Sequence, residues 1–508
     1  DYIDQSLTAY DRYGNEYQAY GGDFDDRPND GSYSGNGIVY GRDRDPSPKM
    51  QEVKYNYRPV KAVFEGGGAR FNYETPEEEA RADASEIRTE LLARPFESSE
   101  SEKSPGAEKD EGMRIRIFNR NLFINTSEYD TLLILEKGGK EIMKRHLRIN
   151  TLPLSENIID IPEEFSDYIS SHKGELVLTV SFRLGKDTAW APAGYEVAYG
   201  QAVYGTAPAL IHRRAPFRVI HGAYNIGIKG EGFEMLFSKG AAGMTSLRVA
   251  GKELFKRPPV PNFWRPMNEN DRANLLPFRA GQWKLASMYA DMRNPEDPYD
   301  KRTGFRFEER EEEVVISYTY NLPVRPAKQA QLIYTVHPDG VVDVELSMER
   351  SDDVGELPEF GLLFTLPAEL DILEWYGIGP KESYVDRPHG KLSVYRSRVW
   401  ENMARYLVPQ ECGNKIGVRY AELTDEKGGI CLLSLKDYIS LSVLPYSPHQ
   451  IDNADHPYEL PPVHHTYVRA SLMQMGVAGD DTWGARTKPV HMLDNSRELK
   501  FRFSFVGV

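Results

Sequence analysis

The sequence predicts a mainly β protein, and three observations carry that prediction. Apolar and polar residues alternate in residues 175–184, 342–348 and 500–505, which is the period of a strand with one buried face and one face in water. Residues 337–340 (His-Pro-Asp-Gly) separate two such runs and have the composition of a hairpin turn. The chain also contains 30 tyrosines, and flat rings suit both pleated sheets and sugar-binding surfaces.

Composition excludes several classes of function. The net charge of −15 argues against a nucleic-acid partner, because phosphate binding needs a concentrated basic surface. The chain has no apolar run of the roughly 20 residues that cross a bilayer, so a membrane is not an expected partner. Cys412 and Cys431 are the only cysteines, which excludes a disulfide-rich scaffold and is compatible with a reducing compartment. We therefore expect a cytoplasmic location, and export stays open because the start of the chain looks truncated.

The first residues indicate that the chain begins inside a domain. Residues 1–5 (DYIDQ) read as the exit of a buried strand with no strand in front of it. Residues 19–37 are dense in glycine, carboxylates and amides, a composition that suits the rim of an active site better than the start of a fold. We predict that residues 1–57 are the last strand and loops of a barrel whose remainder lies outside this chain.

Two sandwich units follow. Residues 58–205 form the first, interrupted by a charged insertion at about 65–112, in which a helix starts at Thr75 and residues 98–111 form a linker almost without apolar residues. A surface loop tolerates such an insertion because loop closure costs little per added residue; its role, including a regulatory one, is left open. Residues 206–508 are too long for a simple sandwich and predict a large double sheet.

The search for catalytic carboxylates gives candidates but no clear pair. Glycoside hydrolysis needs two carboxylates facing each other across the scissile bond, roughly 5 Å apart for retention. The pairs Asp1/Asp4 and Asp480/Asp481 read better as anchors at a strand end and as turn caps. Trp483 lies beside the second pair without an apolar run around it, so its indole is either a platform for a sugar ring or a plug against the sandwich.

Other polar segments are open to two interpretations. Residues 262–271 can lock a long loop through amide bonds to its own backbone, or can carry part of a site. Asn29, Asn36 and the Tyr33 carbonyl offer neutral oxygens that suit Na⁺ or Mg²⁺, although Asn-Gly is also an ordinary turn. Three histidines hint at zinc, but no cysteine lies nearby and HExxH is absent, so a structural role is favoured. These are His456, His464 and His465.

Several segments, taken in chain order, resemble the large β-galactosidases of glycoside hydrolase family 2. The resemblance covers nearly everything outside the insertion, and it is specific because the motifs recur in the family's order. The segments are residues 1–7 (DYIDQSL), 20–24 (YGGDF), 27–37 (RPNDGSYSGNG), 187–191 (DTAWA), 262–271 (NFWRPMNEND), 376–387 (YGIGPKESYVDR), 409–414 (PQECGN), 454–456 (ADH) and 475–483 (MGVAGDDTW).

The resemblance implies an architecture and a set of site residues. The architecture is the end of a (β/α)8 barrel, an immunoglobulin-like β-sandwich and a C-terminal supersandwich of the galactose-mutarotase-like kind. Both catalytic glutamates would precede Asp1, so the resemblance implies no catalytic residue in this chain. Tyr33, through its backbone carbonyl, and Asn36 match sodium ligands and lie near bound galactose, and Asn29 matches a ligand of a second magnesium. Trp483 matches a sugar-stacking indole, and the stretch after Asp271 matches a lid loop.

From this resemblance we expect the C-terminal part of a retaining β-galactosidase that acts on terminal β-linked galactose. Mg²⁺ and Na⁺ would serve the complete enzyme, which would be a homo-oligomer. The partners would be the rest of the barrel and the galactoside. Departures from the family pattern at residues 266–269, Ala273 and Ala478 leave lid flexibility and linkage preference open. The alternative is a non-catalytic carbohydrate-binding or assembly module, which would also explain an exposed Trp483.

Overall fold

The chain is mainly β in a computed structural model, which confirms the predicted fold class. The structure describes residues 2–70, 112–207, 210–241, 243–292, 304–435 and 437–508. The chain divides into two compact units, each described below by itself: the first comprises Asp1–Met50, Ile211–Pro388 and Tyr395–Val508, and the second comprises Gln51–Leu210 and His389–Val394. The predicted domain boundaries after residues 57 and 205 stay predictions.

The second unit contains two antiparallel sheets, in the orders β3-β4-β7 and β6-β5-β8-β9. Its core is formed by inward-facing aliphatic and aromatic side chains such as Val60, Ile117, Leu178 and Phe182, each almost completely buried. The elements are α1 Met50–Asn56, β3 Val60–Glu65, β4 Arg114–Asn119, β5 Tyr129–Lys137, β6 Lys140–Leu147, β7 Ser155–Asp160, α2 Glu163–Ser171, β8 Leu176–Leu184 and β9 Glu196–Tyr204.

The predicted insertion lies between two strands that pair directly. Glu65 at the end of β3 is the register partner of Arg114 at the start of β4. The intervening segment therefore leaves and returns at one end of a strand pair, as an insertion into a connecting loop must. Residues 71–111, with the predicted helix at Thr75 and the charged linker, lie outside the described residues.

Strand β8 is confirmed, but the expectation that one of its faces is wet is wrong. Thr179 and Ser181 on the polar face are as buried as the apolar residues on the other. Ser181 donates to the Glu196 carboxylate, and Gln201 donates to the Thr179 hydroxyl at 3.0 Å. The Gln201 amide also bonds the Leu392 backbone oxygen at 3.0 Å. Residues 389–394 thus cover this face with hydrogen-bonding groups, which makes a buried polar face possible.

The first unit is built on a nine-stranded antiparallel sheet in the order β16-β17-β18-β19-β28-β25-β24-β21-β22, and two five-stranded sheets accompany it, in the orders β15-β20-β27-β26-β23 and β10-β11-β12-β13-β14. Strand β22 enters this unit with its residues 395–398. The remaining strands are β1 Leu7–Tyr10, β2 Glu16–Ala19, β10 Arg218–His221, β11 Asn225–Lys229, β12 Phe233–Ser238, β13 Met244–Val249, β14 Lys252–Glu253, β15 Arg257–Asn262, β16 Phe305–Glu309, β17 Val314–Leu322, β18 Lys328–Val336, β19 Val342–Met348, β20 Glu359–Pro367, β21 Ile372–Gly379, β22 Lys391–Arg398, β23 Lys415–Val418, β24 Tyr420–Asp425, β25 Gly428–Ser434, β26 Ile439–Leu444, β27 His465–Gln474 and β28 Leu499–Gly507.

The alternation in the last two predicted runs places their apolar residues in the core of this unit. Strands β19 and β28 pair along their whole length, and Phe501, Phe503 and Phe505 of β28 are fully buried. The Phe364 ring of β20 contacts the rings of Phe503 and Phe505 edge-on, at centroid distances of 6.2 and 5.8 Å. The nine-stranded sheet and the five-stranded sheet that contains β20 therefore share an aromatic core.

The predicted hairpin turn joins β18 to β19. The His337 amide donates to the Val341 oxygen at 2.9 Å and the Gly340 amide donates to the His337 oxygen at 3.0 Å. Gly340 has a φ of 84°, a conformation that glycine adopts without strain. The turn prediction is confirmed.

Residues 2–50 contain little regular structure. Ile3 forms an isolated parallel bridge with Val39, and the Asp4 amide donates to the Val39 oxygen at 3.0 Å. Strands β1 and β2 form a separate hairpin. The described residues contain six short α-helices: α1 and α2 are given above, and the others are α3 Glu269–Ala273, α4 Leu276–Arg279, α5 Gly281–Tyr289 and α6 Pro448–Asp452. None of these described helices has the length and apolarity of a membrane span.

Replacing Phe503 by alanine should lower the free energy of unfolding by about 3–5 kcal/mol, because it leaves a cavity between the sheets. Denaturant titration of the chain would measure this. Phe123→Ala is the matched control, since the Phe123 side chain is 88% exposed. Equal losses in both variants would contradict the assignment of the core.

Candidate functional site

A short 3-10 turn, Gly31–Gly35, places the predicted cation ligands Tyr33 and Asn36. The turn is anchored to the start of the chain: the Gln5 amide donates to the Ser34 oxygen at 2.8 Å, and the Gly37 amide donates to the Asp4 carboxylate at 2.7 Å. A Cβ at residue 37 would lie 2.3 Å from the Asp4 nitrogen, so only glycine fits there. Asp4 is thus an anchor for this turn, as its sequence context suggested.

Trp483 lies at the tip of the loop that follows β27. Its side chain is 72% exposed, which suits a platform and does not suit a plug. The Asp481 carboxylate accepts from the amides of Trp483 and Ala485, at 2.9 and 3.1 Å. Asp481 therefore caps the turn that presents the indole, and Asp480 forms an exposed ion pair with Lys488.

The structure brings the two predicted binding elements together. The Asn36 side-chain nitrogen donates to the Thr482 hydroxyl at 2.9 Å, next to Trp483 in sequence. The other end of the amide, Oδ1, is buried and has no hydrogen-bond partner among the described residues, and the same holds for the Ser34 hydroxyl. A buried acceptor without a partner is costly, which makes this oxygen a candidate ligand for a cation or a sugar hydroxyl.

The proposed cation ligands fit this chemistry unequally. Asn36 Oδ1 and the carbonyl of the half-buried Tyr33 are neutral oxygens, the ligand type that Na⁺ accepts. Asn29 is exposed, and its amide is bonded within its own turn: Nδ2 donates to the Asp26 oxygen at 2.7 Å and Oδ1 accepts from the Gly31 amide at 3.0 Å. The fit of Asn29 to a second magnesium is therefore the poorer one.

A buried ion pair lies beneath the Trp483 loop. Arg265 is completely buried and contacts the Asp271 carboxylate at 2.6 Å. Asp271 also accepts from the Asn268 amide, and the Asn268 side chain caps α3 in return. Arg265 then donates to the Gly476 oxygen at 3.0 Å. Residues 262–271 therefore lock their own backbone, as one of the two sequence interpretations held, and also carry the stem of the Trp483 loop.

The motifs around residues 376–414 form a second buried network, whose contacts the sequence interpretation missed. Arg469 bridges the carboxylates of Glu359 and Glu411, at 2.7 and 2.6 Å. Burial raises the pKa of Glu411, and the Arg469 guanidinium opposes that shift. Asp386 accepts from the Ala478 amide at 2.7 Å, so this network also reaches the Trp483 loop. In the sequence, the acidic residues of these motifs were the only indication of this buried network.

Two further acidic groups lie near the turn. Burial raises the pKa of Asp4, partly offset by the Gly37 amide. Burial also raises the pKa of Glu269 to about 7, against the opposing effects of Ser32 and Lys49. Glu269 Oε1 is buried and has no hydrogen-bond partner within the described residues. A substantial fraction of this carboxyl therefore stays protonated near neutral pH, where an ordinary glutamate is ionised.

The stretch after Asp271, predicted to be a lid loop, is helical in the described residues. It begins within the last turn of α3 and continues through α4 and α5, with Leu275 at a φ of 62° between α3 and α4. The Arg279 guanidinium holds the junction through the Asn274 side chain at 2.8 Å. The helices do not test whether the segment moves, so the lid stays a prediction.

The histidines form no metal centre of the kind the sequence hinted at. His456 contacts Asp23 at 3.0 Å and stacks on Tyr20 at 4.8 Å, which is a structural role. Within the part of the chain that the structure describes, the one cluster with ligand spacing is His212, His337 and Asp343. The two imidazoles there are parallel and 3.5 Å apart. Imidazole lone pairs lie in the ring plane, so stacked rings cannot both direct a nitrogen at one ion.

The Glu269→Gln substitution should reduce the pH dependence of stability. A folded-state pKa of about 7, above the ordinary 4.5, means that the folded chain keeps a proton that the unfolded chain loses as the pH rises. The contribution of Glu269 therefore falls between pH 4.5 and 7, by on the order of 3 kcal/mol. Because glutamine cannot ionise, the variant should gain more stability relative to the parent at pH 8 than at pH 5.

Denaturant titrations at both pH values would measure this difference. The exposed Glu231 provides the matched control, Glu231→Gln. An E269Q difference that is the same at pH 5 and pH 8 would contradict the raised pKa.

Three family models match the chain. Residues 1–62 match the TIM barrel domain of the family 2 glycosyl hydrolases, and residues 115–204 match domain 4 of β-galactosidase. Residues 229–506, more than half of the chain, match the β-galactosidase small chain. Among solved structures, galactose 1-epimerase from Lactobacillus acidophilus NCFM aligns with 58% of this chain and 99% of its own, at 10% identity and a TM-score of 0.29, which establishes nothing about the fold.

The chain is also similar to long β-galactosidases and to a small subunit. The β-galactosidase of Halalkalibacterium halodurans is 36% identical over 99% of this chain and 44% of that protein. That of Priestia megaterium is 34% identical over the same shares. The β-galactosidase small subunit of Latilactobacillus sakei is 29% identical over 56% of this chain and 96% of that subunit. The chain thus spans less than half the length of the long relatives, and it belongs to the β-galactosidases of glycoside hydrolase family 2.

Proposed function

We propose that this chain is the C-terminal part of a retaining β-galactosidase that releases terminal, non-reducing β-D-galactose. The observation that carries the proposal is the hydrogen bond between Asn36 and Thr482. This bond joins a buried, unpartnered carboxamide oxygen to the loop that presents an exposed indole. A sugar ring can be bound by an aromatic face that covers its apolar side together with a polar acceptor for its hydroxyl groups.

The reacting carboxylates are proposed to come from the barrel portion, outside this chain. In double displacement, a carboxylate forms a bond to the anomeric carbon while the glycosidic oxygen leaves with a proton from a second carboxylic acid. Water then attacks that carbon and gives a proton to the second group, while the bond from the carbon to the first carboxylate breaks and galactose is released. Two carboxylates of the candidate site, those of Asp4 and Asp481, accept hydrogen bonds from backbone amides.

The residues of this chain would bind and orient the sugar. The Trp483 indole would cover an apolar face of the galactose ring and exclude water from it. Asn36 and the Tyr33 carbonyl would accept from a galactosyl hydroxyl or hold Na⁺, which supplies a positive charge for sugar oxygens. Magnesium would be held mainly by the barrel portion. The Latilactobacillus relative is a small subunit, which supports a separate chain as one arrangement, and we propose that the complete enzyme is a homo-oligomer.

The test is complementation. The chain would be combined with the Halalkalibacterium β-galactosidase lacking the region that this chain matches, and a chromogenic β-galactoside would be assayed. The relative's own missing region is the positive control. Turnover in the mixture supports the proposal. If only the positive control restores turnover, and this chain alone binds galactose, the alternative of a carbohydrate-binding or assembly module is favoured.

Trp483→Ala in the complemented enzyme should raise KM more than tenfold, on the order of 1.4 kcal/mol of binding free energy, because the sugar loses its platform. Steady-state kinetics would measure it. Trp400→Ala is the matched control, since Trp400 is similarly exposed, at 64%, on a different surface turn. An unchanged KM in W483A would remove the platform role.

Replacing Na⁺ by choline should raise KM in the parent enzyme and leave it unchanged in Asn36→Ala, because that variant lacks the carboxamide ligand. KM would be titrated against Na⁺ at constant ionic strength. Asn29→Ala should keep the sodium response of the parent. A sodium response that survives in N36A would contradict the ligand assignment.

A further inference from the structure

Asn270, on the short helix α3, bonds the turn of Trp483 with both ends of its side chain. Its Nδ2 donates to the Asp481 backbone oxygen at 2.8 Å, and its Oδ1 accepts from the Gly484 amide at 3.0 Å. The two bonded residues bracket Trp483 in sequence. One amide thus spans the tip of the loop that carries the indole.

The other described anchors hold different parts of the loop. Arg265, Asn268 and Asp386 bond the backbone at residues 476–478, in the stem before the turn. Asn274 bonds the Ala485 oxygen at 3.4 Å, after the turn. The Asn36 contact is to the Thr482 side chain and does not hold the backbone of the tip, which the Asp481 carboxylate caps from within the loop.

Asn270 is itself rigidly placed. The buried Asp271 next to it pairs with Arg265 and completes the capping box of α3. The turn also lies tightly against the helix: Gly484 has a φ of 106°, and a Cβ there would lie 3.1 Å from the Ala273 side chain. The amide of Asn270 is therefore presented by a fixed backbone.

An indole in this position needs such an anchor. With 72% of its side chain exposed, Trp483 gains little orientation from packing. Binding a sugar on a mobile ring costs conformational entropy, and a backbone held in the bound conformation avoids that cost. We propose that Asn270 is a positioning residue that fixes the Trp483 indole for galactoside binding, an inference that rests on the proposed platform role of Trp483.

The experiment is a double-mutant cycle in the complemented enzyme, with Asn270→Ser, Trp483→Ala and both together. The measurement is the inhibition constant of a thiogalactoside, which reports binding without chemistry. N270S should weaken binding by about fivefold in the parent and by less than about 1.5-fold in the W483A background, because coupled residues are not additive. Asn157→Ser, at a half-buried position of β7 in the other compact unit, is the matched control and should leave both backgrounds unchanged.

Hydrogen exchange of the peptide containing residues 477–485 gives a second readout, which should be faster in N270S while the melting temperature is kept. If W483A weakens binding and N270S does not, or if N270S weakens it equally in both backgrounds, the inference is overturned and the platform stands. If W483A binds as tightly as the parent, the platform itself is wrong and the inference fails with it.

Discussion

The candidate site depends on the ion pair between Arg265 and Asp271. Both side chains are removed from water, and the loss of hydration of two such charges is offset by their close contact and by further hydrogen bonds of each partner. Here Asp271 also closes the cap of α3, and Arg265 extends to the Gly476 backbone. The pair therefore ties two segments, 211 residues apart, into one frame. Asn270 and the Trp483 loop take their positions from that frame.

The strands were predictable from the sequence wherever the alternation of their own residues reports which face is buried. In β19 and β28 the alternation places the apolar residues in the core, because one face of each strand packs on another sheet. The same reasoning failed for the second face of β8. Its polar residues look like a wet surface, yet residues 389–394 cover them. That cover lies about two hundred residues away in sequence, and no local pattern reports it.

For the candidate site, the sequence was sufficient to name residues but not to predict their contacts. Trp483, Asn36 and Tyr33 could be named because they stand in recognisable motifs, and Trp483 was also out of place in a polar loop. The contacts that hold them could not be read from the chain. Arg469 meets Glu359 and Glu411 only through the pairing of β27 with β20 and with a distant loop. A buried arginine and a surface arginine look alike in sequence, so such a network becomes visible only with the fold.

The burial and pairing of the acidic side chains distinguish residues that support the candidate site from residues that could contact a ligand. Glu359, Glu411 and Asp271 are each neutralised by an arginine and inaccessible to a substrate. Glu269 Oε1 is buried and has no hydrogen-bond partner among the described residues, and the Asp4 carboxylate accepts from a backbone amide. A nucleophile or a proton donor for glycoside hydrolysis must instead face the anomeric carbon. The buried acids of this chain therefore support the candidate site. The exposed indole of Trp483 and the unpartnered carboxamide oxygen of Asn36 are the groups to which the proposed function assigns the binding of the sugar.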